Sequence, residues 1–233
     1  MVGGDPVAPY ELQAVIQIGG CSAVLVAPDR VLTCGHCIAQ PPTEVFIGGA
    51  PVRVEGCRSH PRFASGESAH DLAVCILAAP QPVRPIEIGL FPIAAGAEVR
   101  LAGYGQRGPF DRALPALRST TTSVIRADTA TLIVGTATRT ACMGDSGGPV
   151  LVRTDGQLRV VALLQGSTGA LCHSPTVAAL LSDDDGWLGV AEVAPALRSA
   201  VGSLVVVAIG LTLVALTVRS AVSRWGSDHG AGR

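Results

Sequence analysis

Lysine is absent: all 17 basic residues are arginine. A Ser-Lys dyad and Schiff-base chemistry on lysine are therefore excluded, and the bias points to GC-rich coding. Charge of either sign is sparse, at 15% of residues, and sums to −1, which gives no reason to expect nucleic acid or an anionic surface as partner. Aromatics make up only 3%. The opening Met1-Val2-Gly3-Gly4 lacks a charged segment followed by an apolar one.

Glycine (28) and proline (16) are plentiful, and apolar residues reach 48% of the 233-residue chain. Short apolar or alternating runs fall at 12–18, 23–27, 31–33, 44–47, 52–55, 72–77 and 99–103, then at 119–125, 131–134, 149–153 and 158–165. Turn signals such as Pro28-Asp29-Arg30 separate them, a pattern that predicts an all-β sandwich or barrel. Ile88–Ala97, with its Pro and Gly, reads as a joint between two halves. Seven cysteines favour an oxidising compartment, and their odd number leaves at least one unpaired within the chain.

After Pro175 the composition changes. An acidic loop at 182–186 precedes a short helix expected over Trp187–Arg198, interrupted by Pro195. Residues 199–218 then carry no charge and are flanked by Arg198 and Arg219. Twenty helical residues extend about 30 Å, the thickness of a bilayer's hydrocarbon core. A transmembrane helix is expected there, with 191–198 as juxtamembrane linker. The tail 219–233 carries Arg219, Arg224 and Arg233, so the positive-inside rule places it in the cytoplasm and the rest of the chain outside. That topology calls for an export segment upstream of this numbering.

The chemistry centres on Cys142-Met143-Gly144-Asp145-Ser146-Gly147-Gly148-Pro149. Glycines around a serine allow a sharp turn that exposes the hydroxyl and points backbone N–H groups at one spot, as acyl transfer requires. The serine needs a base, and the base an orienting acid. His36 ends the apolar stretch Leu32-Thr33-Cys34-Gly35-His36-Cys37. Asp71 leads into Leu72–Leu77, which reads as a buried strand. His60, before a proline, reads as a surface turn, and His229 lies in the tail.

Together these segments resemble the chymotrypsin/trypsin family of serine proteases. Val2-Gly3-Gly4 is similar to its mature N-terminus, Cys21 to Cys37 to its cysteine-to-histidine segment, His70–Val74 to its aspartate segment, and Gly103-Tyr104-Gly105 to the start of its second barrel. Cys142–Pro149 matches the nucleophile segment at every position. The resemblance implies a two-barrel all-β protease domain over 2–190, with barrels at about 12–90 and 97–181. It implies Ser146 as nucleophile, His36 as general base and Asp71 as orienting acid, with an oxyanion hole from the N–H groups of Gly144 and Ser146. It also implies that Asp145 pairs with a free N-terminal amine, expected here on Val2 after loss of Met1. Disulfides Cys21–Cys37 and Cys142–Cys172 follow from the same likeness. Cys57–Cys75 is a further pairing suggested by nearby strands, and Cys34 remains. Cys34-x-x-Cys37 also has a zinc-like spacing, but Cys37 is matched to Cys21; no metal or cofactor is expected.

The primary specificity pocket corresponds to Thr140, Gly166 and Thr176, a neutral set that implies small or medium uncharged side chains at the cleavage position. Leu164-Gln165-Gly166 departs from the family's usual Ser-Trp-Gly, losing a hydroxyl that supports the aspartate and an aromatic wall. The expected activity is that of a monomeric, membrane-tethered serine endopeptidase acting on protein or peptide. A protease-like binding module without activity and a non-peptidase esterase are the alternatives.

Overall fold

The computed structural model describes residues 1–8, 10–63, 68–169, 172–182 and 186–188. After the short strand β1 (Asp5–Pro6), the chain forms β2 (Val15–Ile18), β3 (Cys21–Ala27), β4 (Arg30–Thr33), β5 (Glu44–Ile47), β6 (Ala50–Ser59) and β7 (Ala73–Leu77). These six strands, β2 to β7, close into an antiparallel barrel in the order β2-β3-β4-β7-β6-β5. The second half supplies β8 (Glu98–Gly103), β9 (Arg118–Ala127), β10 (Thr131–Val134), β11 (Pro149–Thr154), β12 (Gln157–Ser167) and β13 (Thr176–Leu180). Their order is β9-β10-β13-β12-β11-β8, and β8 pairs back onto β9, so this barrel closes too, with β1 added along β9. Closure removes the unpaired edges that a sheet would otherwise expose.

The barrels share a wall, which explains why several strands are apolar at every position rather than alternately. On β3, Ala23 and Leu25 fill the first barrel while Val24 faces the interface. On β7, Ala73, Cys75 and Leu77 point inward and Val74 outward to Leu151, Val160 and Leu163 of the second barrel. Side chains alternate across a strand, so burying both faces demands a continuous apolar run. The second core gathers Leu101, Leu132, Val134, Val161, Ala178 and the fully buried Met1 side chain.

Two features depart from the sequence reading. Thr176–Leu180 forms β13, paired with β10 on one side and β12 on the other; its alanines carry little strand propensity, and neighbours on both edges override that. His60 is buried, at 3% exposure, rather than on a surface turn. Its Nδ1 accepts the Arg62 N–H, and its ring packs edge-on to Trp187 and near His70. No helix among the described residues is long and apolar enough to cross a membrane. The expected helix over 187–198, the linker 191–198, the span 199–218 and the tail 219–233 lie essentially outside the described residues.

Candidate active site

His36 begins a 3-10 turn (His36–Ile38) directly after β4, and Asp71 lies two residues before β7, the strand paired with β4. Strand pairing thus brings residues 35 apart in sequence together. The His36 backbone N–H donates to Asp71 Oδ1 at 2.9 Å, and His36 Nδ1 lies 2.6 Å from Asp71 Oδ2. The carboxylate is buried while the imidazole is half open to solvent. This hydrogen bond, aided by the aspartate's charge, raises the His36 pKa above its ordinary value against the opposing effect of burial.

The nucleophile loop comes from the other barrel, just before β11. Gly144 and Gly147 adopt φ of +89° and +79°, where a side chain is strained. At Gly147 a Cβ would also meet the Ser22 carbonyl and the Thr33 hydroxyl at 2.2 Å, so only glycine lets the loop lie against the first barrel. Among the described residues no protein acceptor takes the N–H of Gly144 or of Ser146, which leaves both donors for a ligand oxygen. The Ser146 hydroxyl donates to the Gln165 carbonyl at 2.8 Å. Gln165 occupies an irregularity in the pairing of β12 with β13, which turns that carbonyl toward the loop.

Asp145 points the other way, into the protein, fully buried. It accepts N–H groups from Gly105 (2.8 Å) and Cys142 (2.9 Å) and an ion pair from the N-terminal amine at 2.7 Å. Burial raises its pKa, opposed by the amine and both N–H donors. That amine belongs to Met1; Val2 is expected to carry it only once Met1 is lost. Val2 is committed elsewhere, exchanging backbone hydrogen bonds with Thr140, and the Met1 side chain fills the second core.

A family model described as trypsin matches residues 1–182. The chain belongs to the trypsin family. Among curated proteins it is similar to a trypsin of Saccharopolyspora erythraea, at 27% identity over 57% of this chain and 70% of that one. It is also similar to human granzyme M, at 26% identity over 81% of this chain and 87% of that one. Glucanase inhibitor protein 3 of Phytophthora infestans matches at 26% identity over 56% of this chain and 60% of its own length.

Beside Ser146 this trypsin-family chain has a cavity of about 270 Å³, mostly apolar, lined by Ala141, Met143, Leu164, Gln165 and Gly166 among others. Thr140 and Thr176 do not line it. Both are fully buried, their hydroxyls 2.8 Å apart, with Thr140 Oγ1 also donating to the Ser174 carbonyl at 2.8 Å. The residues that line the cavity carry no charge.

Three disulfides join Cys21–Cys37, Cys57–Cys75 and Cys142–Cys172. The first holds Cys37 beside His36, and the third anchors the nucleophile loop. Cys34 is free and buried; its thiol donates to the Leu164 carbonyl at 3.1 Å. Burial, and secondarily the charge of Asp71, push this thiol's pKa well up. Cys34, His36 and Asp71 each offer a ligand atom within 4.8 Å of the others, but the His36–Asp71 hydrogen bond fills that space.

Sequence reasoning missed Ser22, a fully buried serine on β3. It looks like an ordinary strand residue, and only contacts across the barrels mark it.

Proposed function

We propose that the chain is a serine endopeptidase that uses Ser146, His36 and Asp71 through an acyl-enzyme. The reading rests above all on the 2.6 Å His36–Asp71 contact together with a loop whose Gly144 and Ser146 N–H groups are uncommitted. In this mechanism Ser146 turns from the Gln165 carbonyl to His36 Nε2, which takes its proton as the oxygen attacks the scissile carbonyl. The two N–H groups receive the developing oxyanion; one such donor is worth about 3 kcal/mol. His36, now an imidazolium steadied by Asp71, protonates the leaving amine, and water reverses the sequence.

A fluorophosphonate probe tests the reading. Wild-type protein with a free Met1 amine is expected to label at Ser146 and Ser146→Ala not at all. A wild type that stays unlabelled supports instead a protease-like binding module, a reading favoured by the resting Ser146–Gln165 bond and by the name of the inhibitor relative. Turnover of small esters without peptide cleavage would mark an esterase.

At the cleavage position the neutral, largely apolar cavity favours small or medium uncharged side chains. A peptide library should show this, and a dominant preference for arginine would refute it. We further propose that 199–218 spans a membrane, holding a monomeric protease domain on the outer face with 219–233 in the cytoplasm. The uncharged length between Arg198 and Arg219 supports this. Retention in the membrane pellet after carbonate extraction, lost on deleting 199–218, is the expected result.

A further inference from the structure

We infer that Ser22 is a positioning residue for the oxyanion hole, acting from the first barrel on a loop of the second. This inference rests on the peptidase reading. Ser22 grips, through their carbonyls, the two residues whose N–H groups form the hole. Its backbone N–H donates to the Ser146 carbonyl at 2.8 Å, and its hydroxyl donates to the Gly144 carbonyl at 2.8 Å. The same hydroxyl oxygen accepts the Tyr104 N–H at 2.9 Å. Tyr104 precedes Gly105, whose N–H meets Asp145 and whose carbonyl accepts the Met1 amine at 3.0 Å. One hydroxyl therefore joins the hole to the site where the N-terminus is buried.

Ser22 is itself held fast. It is fully buried, its carbonyl accepts the Thr33 hydroxyl at 2.9 Å, and β3 is paired with both β2 and β4. Gly144 has positive φ and no side chain to anchor it, so its peptide units depend on hydrogen bonds for orientation. The Ser22 hydroxyl supplies one to its carbonyl, and the Asp145 N–H of that same peptide unit donates to the Cys142 carbonyl; the preceding unit, which carries the Gly144 N–H, has its Met143 carbonyl bonded by the Gln106 N–H. A donor helps the transition state only if it is already aimed, because reorienting it during reaction consumes the stabilisation.

Ser22→Ala removes the hydroxyl and leaves the backbone bond to Ser146 intact. The expected effect is about a tenfold fall in kcat with KM within twofold. Affinity for a peptide boronic acid, which forms a tetrahedral adduct, should fall by a similar factor, while affinity for a non-covalent product peptide should not. The carbonyl ¹³C resonance of Gly144 in the ligand-free protein should also move, because it reads the lost hydrogen bond whether or not the protein turns over substrate. A Gly144 resonance and a kcat both indifferent to Ser22→Ala would overturn the inference. So would a fall in thermal stability with kcat unchanged, which would make Ser22 merely structural. Wild-type protein inert to fluorophosphonate would instead sink the peptidase reading, and the resonance would still decide whether Ser22 holds Gly144.

Discussion

At the scale of single residues, His36 sets the pH response. Asp71 raises its pKa above the usual 6.5, and the base must be neutral to act, so kcat/KM should climb with pH through a midpoint above 6.5. Asp71→Asn should lower that midpoint and cut kcat by about 10³–10⁴-fold, checked by pH–rate profiles of both proteins. The same pair favours the folded state while His36 is charged. That contribution is full below pH 6.5 and lost as pH rises through the higher folded value, and it is softened because the imidazole is half exposed. Cys34 answers a different measurement. With three disulfides formed and its thiol buried, a thiol reagent should label nothing in the folded protein and one site per chain after unfolding without reductant.

At the scale of elements, the pairing of β4 with β7 sets the His36–Asp71 distance, and the next pair in the sheet stiffens it. Cys57 and Cys75 face each other directly across β6 and β7 and are joined. Their separation of 18 residues corresponds to about 3 kcal/mol in the chain-entropy account. Replacing both by alanine should lower unfolding stability by roughly that amount in denaturant titration, while kcat at low temperature holds. Most strands were legible in the sequence as short apolar or alternating runs between turn signals, because burying one or both faces leaves such a pattern. Thr176–Leu180 was not, since its alanines signal a strand only once β10 and β12 lie on either side.

At the scale of the whole molecule, the start of the chain and the nucleophile loop form one unit. The Met1 amine is fully buried against Asp145 and also donates to the carbonyls of Gly105 and Gln106. Removing one partner of such a pair strands a buried charge, at about 3–5 kcal/mol. Asp145→Asn, or extra residues placed before Met1, should therefore depress kcat with the triad untouched, as active-site titration would show. Specificity is equally collective. Thr140→Asp alone buries a charge against Thr176 and should cost stability without admitting arginine substrates. Thr140→Asp with Thr176→Gly opens the base and should admit them, which peptide kinetics can check.

The candidate triad residues stand in local strings (glycines at a turn, a histidine beside a cysteine, an aspartate opening a buried strand), while the candidate oxyanion donors and the Cys21–Cys37 and Cys142–Cys172 pairings come from the resemblance those strings carry. With Met1 present, its amine reaches Asp145 and its side chain enters the second core while Val2 bonds to Thr140. Only the tertiary structure shows Thr140 and Thr176 outside the cavity lining, Ser146 turned toward Gln165, and Ser22 bonded to Gly144. These contacts join residues separated in the chain, that of Ser22 with Gly144 also crossing between the barrels, and such hydrogen bonds leave no periodic trace in the sequence.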